Sequence, residues 1–227
     1  MGNSKMRHLS IILLFVFCTA CDFKSSEDYH TEANKKEQQG NYKEAILLLD
    51  KSIEKDPGNI KAMLDRAVDK SFTKDYKGSI EDYSKVIKVD SANSLALLNR
   101  GKNKKRLDDY KGAIIDFNKA ISTKGGEFMY MDKVENSFVE TGFEFDVKME
   151  EIKFERGIAY YNVDSLKKAF DDFNFSIKKK YSLSDCYYWR GLIYLRYNKK
   201  SEGCKDLNKA KELGDPDAQG IIDKNCK

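Results

Sequence analysis

The sequence predicts an all-α solenoid, five two-helix hairpins stacked side by side and closed by a C-terminal helix. Three observations carry that prediction. DYKGAIIDFNKAI at 109–121 repeats DYKGSIEDYSKVI at 75–87, thirty-four positions on, with eight of thirteen letters identical, and a fixed period of this length marks stacked supersecondary units. Only two prolines occur in 227 residues, so little interrupts long helices. Within the 34-residue frame, small residues return at the same two places, as close helix contact demands. With 41% hydrophobic and 34% charged residues, the chain has the composition of a folded body, neither disordered nor multiply membrane-spanning.

Residues 1–20 follow different rules. Lys5 and Arg7 precede the uncharged run LSIILLFVF, and Cys18-Thr19-Ala20-Cys21 follows it. A basic start, a short apolar run and small residues make a secretory signal pattern. Leu9 to Phe17 is about half of the roughly 20 residues a membrane-crossing helix needs. Thr19 and Ala20 before Cys21 resemble the signal of bacterial lipoproteins, which implies a diacylglycerol thioether and an N-acyl chain on Cys21. More than one inserted chain holds a protein stably on a membrane surface without crossing it. Residues 21–28 are then a tether, whose last seven residues reach at most about 25 Å. The expected address is the bacterial cell envelope, on the outer membrane or the periplasmic face of the inner membrane. Without residues 1–20, 39 basic residues stand against 37 acidic ones, which gives no electrostatic case for nucleic acid.

The frame runs over 26–59, 60–93 and 94–127 and resumes over 150–183 and 184–217. In domain terms, repeats 1–3 occupy 29–127 and repeats 4–5 occupy 150–217. Position 8, on the first helix of each unit, carries Ala33, Ala67, Gly101, Gly157 and Gly191. Position 20, on the second, carries Ala45, Ser79, Ala113, Ala169 and Gly203. Position 24 is large, in Leu49, Tyr83, Phe117, Phe173 and Leu207, and position 27 is small again. These columns resemble the tetratricopeptide repeat. The resemblance implies a right-handed superhelix of antiparallel helix pairs whose first helices line a concave groove. The departures are Lys153 at position 4 of the fourth unit, usually large and apolar, and a position-32 proline kept only as Pro57.

Residues 128–149 interrupt the frame. Phe143, Phe145, Val147 and Met149 alternate with polar residues there, a period of two that suits a strand; a tolerated surface loop is the other reading. At the far end, Asp215-Pro216 opens a capping helix over 218–227. Its Ala218, Ile222 and Cys226 form one sealing stripe.

Catalysis finds little support. Beyond residues 1–20 the only histidine is His30, expected on the solvated surface, and no phosphate loop, HExxH or Cys-rich metal spacing occurs. No enzyme activity, cofactor or metal is expected. A charge pattern is more telling: Arg66, Arg100, Arg156 and Arg190 at position 7 each precede Asp82, Asp116, Asp172 and Asp206 by sixteen residues. Planar guanidinium suits a bidentate carboxylate contact, so these pairs are expected to lock each hairpin. Three cysteines follow Cys21. Cys204 stands in the column of Ile46, Ile80, Ile114 and Phe170, a face that meets the following helix, where Cys226 lies on the sealing stripe. A Cys204–Cys226 disulfide is expected in an exported protein, with free buried thiols as the alternative; Cys186 is expected unpaired in the core.

Positions 2, 5, 6, 9, 12 and 13 of the first helices share one arc. Unit 1 places only polar groups there: Glu27, His30, Thr31, Asn34, Glu37 and Gln38. Unit 2 offers Leu64 and Val68. Unit 3 adds Leu95 and Leu98 beside a basic patch of Lys102, Lys105 and Arg106. Units 4 and 5 add Phe154, Ile158, Tyr161, Tyr188, Trp189, Leu192 and Leu195. This groove is read as the seat of a protein or peptide segment anchored on aromatics. The alternative is a glycan or peptidoglycan fragment stacked on Tyr161, Tyr188 and Trp189, and a third reading buries these side chains against one another. Oligomeric state is not written in the sequence.

Overall fold

The structure is a computed structural model that describes residues 23–123 and 147–226. Among the described residues it holds eleven α-helices and no strand. They are α1 Ser26–Gln38, α2 Tyr42–Lys55, α3 Ile60–Phe72, α4 Tyr76–Val89, α5 Ser94–Arg106, α6 Tyr110–Ser122, α7 Met149–Asn162, α8 Leu166–Lys178, α9 Leu183–Arg196, α10 Lys200–Glu212 and α11 Ala218–Asn225. Each odd helix packs on the next as a hairpin, each hairpin packs on its successor, and α10 packs on α11.

Local chemistry places the boundaries. Asn59 and Asn93 cap α3 and α5, each side-chain oxygen accepting a backbone N–H from the first turn, and Asp75 and Asp109 do the same for α4 and α6. The turn inside every hairpin puts one residue in the left-handed region: Gly40, Lys74, Asp108, Asp164 and Asn198, all at position 15. Only the first repeat uses glycine there, so most of these turns carry a modest backbone cost. The first helix begins at Ser26, behind a reciprocal capping box between Ser25 and Asp28. The last residues of the expected tether are therefore helical.

The two small-residue columns meet as their pattern demands. Position 8 lies against the large residue at position 24 of its own repeat. An added Cβ on Gly101 would stand 2.6 Å from the Phe117 ring, and on Gly157 2.9 Å from the Phe173 ring. Gly191 and Gly203 cross so closely that a Cβ on either would meet the other's carbonyl oxygen. The main core runs through repeats 2 and 3 into α7, with Tyr83, Leu97 and Phe117 fully buried. A second core fills repeats 4 and 5 around Phe154, Phe173, Cys186 and Ile193.

One departure in repeat 4 is accommodated, and one expectation beside it is corrected. Lys153 does not disrupt α7, because its ammonium lies 3.7 Å from the centre of the Phe175 ring on α8, a cation–π contact in place of the usual apolar one. Met149 opens a helix and does not continue a strand. Val147 is buried in the main core just ahead of it. The rest of the expected insertion, with Phe143 and Phe145, lies outside the described residues.

At the C-terminus, α11 starts at Ala218, and Asp215 accepts the backbone N–H groups of Asp217 and Ala218. Ala218 is fully buried, Ile222 and Cys226 are half-buried, and Cys226 is joined to Cys204 with Cα atoms 5.6 Å apart. Cys186 is free and buried, its thiol pushed up to about 12 chiefly by that burial.

Candidate concave groove and its supporting ladder

Each of the four arginines at position 7 grips its aspartate with both ends of its fork. Arg66 Nε and Nη2 meet Asp82 at 2.8 and 2.7 Å, and Arg100, Arg156 and Arg190 do the same with Asp116, Asp172 and Asp206. The aspartates are almost wholly buried. For Asp82, burial would raise the carboxyl, but hydrogen bonds from Arg66 and Lys70 outweigh it and hold the group below the usual carboxylate range.

The remaining Nη1 of each arginine does what the sixteen-residue spacing did not disclose. It reaches back to position 25 of the preceding repeat: Arg66 to Asp50, Arg100 to Ser84, Arg156 to Asn118 and Arg190 to Asn174, at 2.6–3.0 Å. The side chain thus ties three helices, two of its own hairpin and one of its neighbour. The signal was available as a column of Asp, Ser, Asn and Asn, all hydrogen-bond acceptors. A second layer leans on the same pair. Lys70 and Lys104, at position 11, bind Asp82 and Asp116, whereas repeats 4 and 5 put Tyr160 and Tyr194 there, under the guanidinium groups of Arg156 and Arg190.

The first helices line the concave side, where α3, α5, α7 and α9 approach one another in turn. Several expected groove residues are spent on holding this wall together. Lys102 pairs with Glu151 and Lys105 with Glu155, each at 2.5 Å between α5 and α7, so neither offers an uncompensated charge. Arg106 is exposed and stacks on Tyr76, 5.1 Å from its ring centre. Phe154 is buried edge-on against Phe173 and Tyr181. Leu195 turns away from the groove to pack on Gly203 of α10. Phe154 is thereby part of the core, Leu195 is half-buried, and both pack on the second half of their own hairpin, which a helical wheel of the first helix alone leaves out.

What stays half-exposed is an aromatic set on α7 and α9. Trp189 meets Tyr161 at 5.0 Å and Tyr188 at 5.7 Å, both edge to face. One indole face runs parallel to the buried Phe173 ring, 6.4 Å away. Arg196 caps Tyr161 from the other end and binds Asp164.

His30 overturns its expected solvated setting. It is 6% exposed, and its Nε2 lies 2.6 Å from Asp65 on the neighbouring repeat. The hydrogen bond to Asp65 raises its proton affinity against the burial that would lower it. Along the same stretch, Glu37 on α1 and Asp69 on α3 face each other. Among the described residues no cluster of potential ligands is arranged to hold a metal ion, and no helix is long and apolar enough to cross a membrane.

No family profile matches the chain, and no curated protein matches it. Solved structures do. MamA residues 41-end from Desulfovibrio magneticus RS-1 superposes with a TM-score of 0.69 at 13% identity, over 83% of this chain and 94% of that one. YrrB, described as a TPR protein with an unusual peptide-binding site, gives 0.67 at 16% identity over 88% and 92%. PilF of Pseudomonas aeruginosa gives 0.63 at 17% identity over 83% and 76%. Identities this low speak for shape only, and the shape they share with this chain is the all-helical tetratricopeptide-repeat solenoid.

Proposed function

We propose that the chain is a non-catalytic scaffold that holds a protein or peptide segment along its concave face, tethered to a bacterial envelope membrane through lipidated Cys21. The observation that carries the binding half is the half-exposed Tyr161–Trp189–Tyr188 set on the groove wall, since clustered aromatics on a rigid surface are the usual anchors of a bound chain. YrrB, of the same shape, is described as peptide-binding. The tether rests on the sequence around Cys21 alone, which lies outside the described residues.

Glycan stacking is the competing reading. It is less favoured because a sugar needs a free ring face, and one face of Trp189 already looks onto Phe173.

Peptide arrays and glycan arrays probed with the full chain separate the two. Peptide capture that drops at least about tenfold in Trp189→Ala, the loss of roughly one good anchor, supports the first reading. Saturable sugar binding without peptide capture replaces it by the second. For the tether, labelled palmitate should enter the wild-type chain in a bacterial host and not Cys21→Ser; equal labelling of both removes the anchor from the proposal.

A further inference from the structure

The first helices of repeats 1 and 2 bring four titratable side chains together on the concave side: His30 and Glu37 from α1, Asp65 and Asp69 from α3. His30 and Asp65 satisfy one another. Glu37 and Asp69 are different. Asp69 is 1% exposed, and its Oδ2, like Glu37 Oε1, is a buried oxygen with no donor.

The repeat explains why two carboxyls meet. Glu37 stands at position 12 of its unit and Asp69 at position 10 of the next. One repeat further on, the same two places hold Ser71 and Asn103, whose side chains are hydrogen-bonded at 2.8 Å. A frame that elsewhere builds a neutral hydroxyl–amide bond here opposes two acids, which in a buried setting cannot both ionise. One proton therefore sits between them, and the site titrates as a pair.

The surroundings supply no rescue. From α4, Tyr83 lies near Asp69, and Asp82 beside Tyr83 already takes up Arg66 and Lys70. From α5, Asn99 bonds the Tyr83 hydroxyl and Asn103 the Ser79 hydroxyl. From α2, Asp50 is held by Arg66. Asp65, on the same helix as Asp69, adds further negative charge, partly offset by His30. Burial foremost, and then the Glu37 charge, push Asp69 up to about 8.

We propose that this pair receives a basic side chain of the bound segment: an Arg or Lys entering the groove between repeats 1 and 2 lies against Glu37 and Asp65, and the proton shared by Glu37 and Asp69 is released to water. Glu37 is half-buried and the Asp65 side chain 33% exposed, so both can be reached, while Asp69 responds from behind. The only covalent change is loss of one carboxyl O–H, its electron pair staying on Asp69, so the bound complex gains one negative charge beside the incoming positive one. This inference rests on the peptide-groove reading and adds the partner's chemistry: a cation at the first two repeats, apolar or aromatic groups at the last two.

Calorimetric titration of the full chain with tetra-arginine amide, at several pH values and in two buffers of different ionisation enthalpy, tests it. Close to one proton should be released per peptide near neutral pH, and affinity should rise by up to about tenfold per pH unit below the pair's titration, as linkage requires. Asp69→Asn places the Asn103 chemistry of the next repeat at this site and so keeps the fold. Its affinity should be independent of the pair's titration, weaker than wild type above it, and its binding should release no proton. Binding with no proton release and unchanged in Asp69→Asn overturns the inference, as does failure of tetra-arginine to bind at any pH. If uncharged aromatic peptides still bind and are lost in Trp189→Ala, the groove reading survives that failure; if no peptide of any kind binds, both fall.

Discussion

Arg156 Nη1 donates to Asn118 Oδ1 at 2.7 Å across the joint between repeats 3 and 4, although 38 residues of chain separate them. The same bond spans 16 residues at the other joints. The difference is the 22 residues of the insertion, so the packing register passes through the joint as though the insertion were not there.

Removing one member of an arginine–aspartate pair should be far worse than removing both. Arg156→Ala leaves Asp172, 4% exposed, without its counter-charge, at a cost of about 3–5 kcal/mol. Arg156→Met combined with Asp172→Leu should fall within about 1–2 kcal/mol of wild type, because matched apolar replacement removes the desolvation penalty as well. Urea denaturation of the three proteins checks the ordering, and equal losses in single and double variants would refute it.

Gly101→Ala should destabilise by about 1–3 kcal/mol, the range for overpacking a filled core, since the new methyl would stand 2.6 Å from the Phe117 ring. Phe117→Leu in the same chain should recover part of that loss. A thermal melt reads both; an Ala variant as stable as the parent would mean that the hairpin opens without cost.

Opening the Cys204–Cys226 bond should loosen the C-terminal end selectively. The two cysteines are 22 residues apart, and a loop of that size is worth about 3 kcal/mol in the chain-entropy account. Hydrogen exchange in Cys226→Ser should speed up across α10 and α11 and leave α3 to α6 unchanged. In the oxidised chain, alkylation should modify neither cysteine.

Stability should peak in mildly acidic solution. Asp69 rises from 3.8 to about 8 on folding; the folded chain keeps a proton that the unfolded chain has lost, so this contribution is complete below about 4 and declines as pH climbs to about 8. His30 is also raised, first by its hydrogen bond to Asp65. Its contribution is complete below about 6.5 and is lost above that, as pH passes its folded value. Asp82 acts oppositely. Its carboxyl is depressed on folding, so its share is present above about 4 and disappears in acid. Urea midpoints should therefore be higher at pH 5.5 than at pH 8.5, and Asp69→Asn should flatten that slope.

Most of the architecture was legible because it repeats. Ala33, Ala67 and Gly101 share a column, as do Ala45, Ser79 and Ala113, and five copies of one contact leave little freedom for another fold. The arginine–aspartate spacing was equally plain. Much of what escaped reading lies between repeats, where a single frame carries no information about its neighbour. Lys102 and Lys105 looked like a free basic patch until Glu151 and Glu155, nearly fifty residues away, were seen opposite them. His30 looked solvated because Asp65 belongs to the next unit. Phe154 and Leu195 were assigned to the groove by a helical wheel that takes each helix as isolated.

Because each arginine carries its own link to the unit before it, and because Asp, Ser and Asn all serve as the receiving group, the fastener travels with the module. A gene that copied the stretch encoding 60–93 in tandem would encode a longer protein whose new seam is already stitched. As far as this fastener is concerned, length in such a chain can grow in whole steps of thirty-four residues.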